Sequence, residues 1–328
     1  MPIQWFPGHM ALTRTAIQER LQDGIDVVIE MLDARLPGSS ANPLLAQLTR
    51  GKAAVKVLNK QDLADPLRTE AWLAHYNAQP STRAIAMDTK QITPAKALLA
   101  ACRALAPHRT SMVKPLRLLI CGIPNVGKST LINAMVGGRR VAKTGDEPGI
   151  TKVEQKIVLA KDVLLYDTPG MLWPRISVEQ AGYHLAASGA VGRNALDEEE
   201  VAVELLARLR ADYPQALSQR YAVEGWATMS DEEALAAIGR KRGAMLPGGR
   251  VNLQKAAEVV LVEFRQGVLG RVTLETPEQF AQWVAQAAQA DAEREARKAE
   301  RLKARAKGPA TRQEREALRA AEEDDADA

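Results

Sequence analysis

Cysteine is scarce in this chain of 328 residues: only Cys102 and Cys121 occur. Two distant thiols build neither a disulfide framework nor a cysteine-based zinc site, which fits a reducing cytosol. Both read as small buried hydrophobes. Long apolar runs are missing too, so no stretch is expected to span a bilayer. The opening MPIQWFPGHM lacks a basic segment followed by an apolar run and does not read as a secretory leader. Nothing repeats at a fixed period, and no collagen-like composition is found. Neither sign of charge dominates: 44 Lys and Arg stand against 40 Asp and Glu, a net of +4. That balance permits a nucleic-acid partner without requiring one. Secreted and membrane-spanning classes are therefore not expected.

Apolar residues make up 46% of the chain, enough for a core, and the length suggests two domains. Over residues 11–170 helical patterns alternate with strands. Leu12, Ala16, Ile17 and Leu21 have helical spacing ahead of Gly24. Strands are expected at Val27–Leu32, Ala53–Leu58, Arg83–Met87 and Leu116–Cys121. Lys156–Leu159 and Val163–Tyr166 flank a short turn and read as a hairpin. Strands separated by helices imply an α/β fold with a mostly parallel sheet, whose ligands sit beyond the carboxyl ends of the strands. After about residue 176 the chain reads as all-helical. Ser230–Glu233 and Thr276–Gln279 are capping boxes, and Asn252 caps a helix carrying Ala256, Ala257, Val260, Leu261 and Phe264. The expected layout is a nucleotide domain over 1–176, a helical domain over 177–290 and a charged tail over 291–328, solvated helix or disorder.

Gly122-Ile-Pro-Asn-Val-Gly-Lys-Ser129 fits GxxxxGK[ST], between a strand and a helix as that motif requires. Backbone N–H groups over Asn125, Val126, Gly127, Lys128, Ser129 and Thr130 would curl round phosphate oxygens at a helix N-terminus. Lys128 is expected to reach the β- and γ-phosphates, and the Ser129 hydroxyl to ligate Mg2+. Asp167-Thr-Pro-Gly170 follows the last strand. Asp167 suits the carboxylate behind the metal, and the Gly170 N–H can approach the γ-phosphate. Thr151 lies between the loop helix and the hairpin, where nucleotide-sensing segments place a metal-binding threonine; an ordinary loop hydroxyl is the competing reading.

Asn59-Lys60-Gln61-Asp62 follows the second strand and matches NKxD. The Asp62 carboxylate can accept from N1–H and N2–H2 of guanine, groups that adenine does not offer in that geometry. Asn59 can bond the base and Lys60 can lay its stem along it. GTP is thereby favoured over ATP. The box begins at 59 and the phosphate loop at 122, the reverse of the usual order, so the domain reads as a circularly permuted GTPase.

On these segments the chain resembles the ribosome biogenesis GTPase A family, also called YlqF or RbgA. IQWFPGHM at 3–10, DARLPGSSANP at 33–43, LNKQDL at 58–63, GIPNVGKSTLIN at 122–133, KTGDEPGITK at 143–152 and DTPGMLWP at 167–174 carry the likeness, with AIGRKRG at 237–243 in the helical half. The charged tail departs from the shorter family members. The resemblance implies a cytoplasmic GTPase, binding GTP and GDP, that acts late in assembly of the large (50S) ribosomal subunit on precursor rRNA and ribosomal proteins. It places the guanine-loop counterpart at Met87 and Asp88, which would offer mainly backbone contacts. It matches Asn125 to an asparagine that helps hold K+ near the phosphates, with a loop-stabilising side chain as the alternative. Met171 stands where many GTPases carry a water-orienting glutamine, and an apolar side chain cannot polarise water. His9, in the family's WFPGHM segment, is the candidate to supply that function as a catalytic residue beside Lys128. Two other readings stay open: a GTPase of tRNA modification or membrane traffic, and an RNA-binding module using GTP as a structural ligand.

Overall fold

The structure, a computed structural model, describes residues 8–88, 93–109, 111, 113–137, 142, 155–192 and 197–306. Six strands form one sheet in the order β3-β2-β1-β4-β6-β5: β1 Val27–Asp33, β2 Ala53–Asn59, β3 Thr82–Met87, β4 Leu116–Gly122, β5 Gln155–Ala160 and β6 Val163–Asp167. All neighbours pair in parallel except β5, which joins β6 antiparallel as the expected hairpin. Strand β1 lies between β2 and β4, and every one of its seven residues is buried. That is the pattern of a strand covered on both faces.

Helices α1 (Gly8–Gln22), α2 (Pro43–Leu48), α3 (Pro66–Asn77), α4 (Thr93–Leu105) and α5 (Lys128–Met135) belong to this half. Several starts are written locally. Asn42 Oδ1 accepts from the N–H groups of Leu44 and Leu45, and Asp65 does the same for Leu67 and Arg68, each ahead of a proline. In α1 the buried stripe is Met10, Thr13 and Ile17, whereas Leu12 is exposed. The expected stripe through Leu12 is thus corrected: residues 10, 13 and 17 share a face at spacings of three and four, and Leu12 points away from it.

The second half contains α6 (Glu179–Ser188), α7 (Glu198–Asp212), α8 (Pro214–Tyr221), α9 (Asp231–Lys241), α10 (Leu253–Gln266) and α11 (Pro277–Ala306). Its core gathers Leu205, Leu206, Leu217, Leu235, Val260, Leu261 and Phe264. Ser230 and Glu233 form the expected reciprocal cap, Thr276 and Gln279 form another, and Asn252 caps α10. Helix α11 runs unbroken past residue 291 to Ala306. Near its start Phe280 meets the Trp72 ring edge-on, and farther along Asp291 pairs with Arg175 at 2.6 Å. The two halves are therefore in contact along α3, the loop after β6 and the segment that precedes α11.

Candidate functional site

The carboxyl ends of β1, β2, β3, β4 and β6 bring Asp33, Asn59, Met87, Gly122 and Asp167 to one edge of the sheet. Residues distant in sequence thereby become neighbours. Asn59 pairs in register with Asp33 on one side and Met87 on the other. Its buried amide Nδ2 donates to Val126 O at 2.7 Å, joining the guanine box directly to the phosphate loop.

The loop itself is tightly enclosed. Gly122 has φ +150°, and a Cβ there would fall 2.6 Å from Met31 O, so only glycine fits. Asn125 adopts φ +56°, and Gly127 leads into α5. Lys128 is buried and its Nζ donates to Gly122 O and Ile123 O at 3.2 and 3.0 Å. Burial pulls its ammonium down from the ordinary value, against the attraction of Asp167. Ser129 and Thr130 follow at the start of α5, half-buried and exposed respectively. Gly170 lies against the loop: a Cβ would meet Pro124 Cα at 2.8 Å and Lys128 Nζ at 3.2 Å.

Asp167 is 1% exposed, and its Oδ1 has no hydrogen-bond partner. Burial pushes its carboxyl up to about 6, with Lys128 pulling the other way. A buried carboxylate oxygen without a donor, facing the Lys128 ammonium, is chemically suited to a cation. No group of three or more His, Cys, Asp or Glu side chains stands ready to hold a metal among the described residues.

Met171 is 1% exposed, with its side chain in the core. Its N–H donates to Gly122 O at 3.1 Å, and its carbonyl accepts from Asn42 Nδ2 at 2.9 Å. Nothing at this position can orient water. The next residue, Leu172, donates its N–H to Met10 Sδ, so the start of α1 abuts the DTPG segment. His9 lies in that first turn of α1. Thr151 and the side chain of His9 lie outside the described residues.

At the guanine end, Asp62 is exposed on the short helical turn Gln61–Leu63. Lys60 adopts φ +62° and directs Nζ to Asp33 Oδ2 at 2.8 Å. Burial lowers the Lys60 ammonium, and Asp33 opposes the shift. Asp88 follows β3 and is half-buried. Asn125 Nδ2 donates to Gly189 O at 2.8 Å, a contact with the end of α6. Pattern reasoning missed Asn42, Arg35 and Glu275. The first two lie inside the DARLPGSSANP segment, whose cluster of polar residues after a strand was the available signal.

The family described as "50S ribosome-binding GTPase" matches residues 117–221. Ribosome biogenesis GTPase A of Bacillus cereus is 41% identical over 293 residues, covering 87% of this chain and 97% of the relative. The chain belongs to the ribosome biogenesis GTPase A family. Mitochondrial ribosome-associated GTPase 1 of the mouse is 33% identical, covering 83% and 90% of the two chains. The crystal structure of GNP-bound YlqF from Thermotoga maritima aligns with a TM-score of 0.56 at 26% identity, over 81% of this chain and 98% of that one. Like that family, the chain is a GTP-hydrolysing enzyme with a circularly permuted nucleotide domain. The permutation explains why the match at 117–221 begins at β4, well after the guanine box.

Proposed function

We propose that this GTPase is an assembly factor of the large (50S) ribosomal subunit, acting late in biogenesis in the cytoplasm, slow alone and stimulated by the particle. The observation that carries the reading is the bond from Asn59 to Val126, which unites a guanine box and a phosphate loop of reversed order in a chain 41% identical to a ribosome biogenesis GTPase. No helix among the described residues is long and apolar enough to cross a membrane.

In this reading Asp62 selects guanine, and Lys128 with the loop N–H groups holds the β- and γ-phosphates of GTP or GDP. Ser129, Asp167 and Thr151 hold Mg2+, which when bound neutralises phosphate charge. K+ is the second cation of the proposal, held near Asn125, whose nitrogen donates to Gly189 O. With Met171 turned into the core, the attacking water needs another partner. The contact between Met10 and Leu172 brings the start of α1 beside the γ-phosphate-sensing segment, and His9 is proposed to orient the water there once the particle is bound.

The helical half supplies the rRNA-facing surface. Arg240, Lys241 and Arg250 are exposed, with Met245 and Leu246 exposed between them. Arg242 is exposed as well, but it pairs with Glu263 at 3.2 Å and lies over the Tyr221 ring, so its guanidinium serves the fold.

GTP turnover measured with and without isolated large subunits tests the function. A marked rise with subunits, and none with tRNA or lipid vesicles, is the expected result. Equal rates throughout would favour a GTPase of another class, and no turnover in any condition an RNA-binding module with GTP as a structural ligand.

A further inference from the structure

The segment after α10 leaves the helical half and threads between two loops of the nucleotide half. On one side is the guanine turn at 61–65, and on the other the loop after β1. Its bonds go first to the guanine turn, from Arg271 to Thr273, and then to the loop after β1, from Thr273 to Glu275. Arg271 donates from Nε to Ala64 O at 2.9 Å and from Nη2 to Gln61 O at 3.1 Å. The Val272 N–H donates to Leu63 O at 3.0 Å. Thr273 Oγ1 accepts from the Asp65 N–H and donates to Ala34 O. The Leu274 N–H donates to Arg35 O at 2.7 Å, and Glu275 Oε1 accepts from the Ser39 N–H, also at 2.7 Å. Residues 272–275 are all buried. Closer to α10, Gly267 sits so near the guanine turn that a Cβ would fall 2.5 Å from Leu63 Cδ2.

Gln61, Leu63, Ala64 and Asp65 of the guanine turn are thus held by this strap, and Asp62 is exposed in their midst. The segment is a three-residue helical turn entered through Lys60 at φ +62°, a conformation unfavourable for a non-glycine residue. We propose that the strap 267–275, chiefly through Arg271, positions Asp62 for guanine recognition, and so couples guanine affinity to the placement of the helical half. Arg271 is a positioning residue: it holds the backbone on both sides of Asp62. Because coupling is reciprocal, any partner that draws the helical half away from the guanine turn loosens nucleotide on the base side. The inference rests on Asp62 being the guanine-selecting residue.

The test uses the full chain and the dissociation constants of GDP and IDP, the latter lacking the 2-amino group. Asp62→Asn checks the underlying reading. Arg271→Ala is expected to weaken GDP by roughly five- to tenfold, as loss of charge-assisted bonds implies, and to narrow the GDP-over-IDP preference. Arg271→Lys, which keeps charge without the planar fork, should lie between. The single-turnover rate of saturated enzyme should stay within about twofold, because the strap does not touch the phosphate loop. Arg220→Ala, which removes an ion pair with Glu263 inside the helical half, should leave the GDP-over-IDP preference unchanged. If Asp62→Asn shifts base preference and Arg271→Ala does not, the strap proposal falls alone. If Asp62→Asn shifts nothing, the guanine reading falls and takes the strap with it. A preference narrowed equally by Arg220→Ala would also overturn the proposal, since general loosening would then explain it.

Discussion

Arg35 grips Asp33 with both arms of its guanidinium: Nη2 lies 2.7 Å from Oδ2 and Nε 2.9 Å from Oδ1, with both side chains 1% exposed. The remaining Arg35 nitrogen, Nη1, donates to Phe264 O at the end of α10, 2.9 Å away, and Lys60 of the guanine box also reaches Asp33. One buried carboxylate thus ties β1, the guanine box and the helical half together. Burial alone would raise the Asp33 carboxyl, but Arg35 and Lys60 outweigh it and hold the group well below its ordinary 3.8.

Removing Arg35 leaves that carboxylate buried with a single cation. Arg35→Ala should destabilise the protein by about 3–5 kcal/mol in urea unfolding, and Arg35→Lys by less. A depressed folded value means that the Asp33 contribution is present above the unfolded value near 4 and is lost as pH falls below it. The gap between wild type and Arg35→Ala should therefore shrink in acid. A loss under about 1 kcal/mol at neutral pH would show that the pair is energetically idle.

Asp62→Asn exchanges an acceptor for a donor. It should weaken GTP by about 1.5–3 kcal/mol and relatively favour a xanthine nucleotide. Competition titration decides the matter, and unchanged guanine preference would remove Asp62 from the base site.

His9→Ala should keep nucleotide affinity and particle binding but lose most of the turnover that large subunits induce, since positioning of water is all that it removes. Lys128→Ala should instead damage nucleotide binding itself. Full stimulation of the His9 variant would assign the water to ribosomal RNA, K+ or another side chain.

Binding of the exposed cations Arg240, Lys241 and Arg250 to rRNA phosphates should weaken steeply with salt, whereas Arg242→Ala should chiefly cost stability. Particle sedimentation across a salt series, with the triple alanine variant alongside, provides the check. A flat salt response would argue against phosphate contacts.

Cys102 and Cys121 are both buried, and burial pushes the Cys102 thiol up to about 12 and Cys121 also well above its ordinary value. Thiolate is the reactive form, so neither should be alkylated at pH 8 in the folded protein, and both should label in denaturant. Rapid labelling of the native chain would contradict this packing.

Periodicity and local chemistry locate the six strands of the described residues, the hairpin and the caps at Asn252, Ser230 and Thr276, and they put the GxxxxGKS and NKxD segments at strand ends. Each depends on neighbours within a few residues, which a linear sequence displays. The order of the two nucleotide motifs likewise shows the permutation in the sequence itself. What lay beyond the sequence was which groups meet across the halves. Arg35 finds the carbonyl of Phe264, Arg271 those of Gln61 and Ala64, and Asn125 that of Gly189. Every residue carries a carbonyl, so a bond to one leaves no mark in residue type or spacing. The stripe of α1 was misjudged for a related reason: which face is inward depends on what packs against it, and Met10, with its sulfur against the Leu172 N–H, turned that face away from Leu12. Tertiary contact decided how the guanine turn is held, because the carbonyls of Gln61, Leu63 and Ala64 accept from the segment after α10, far along the chain.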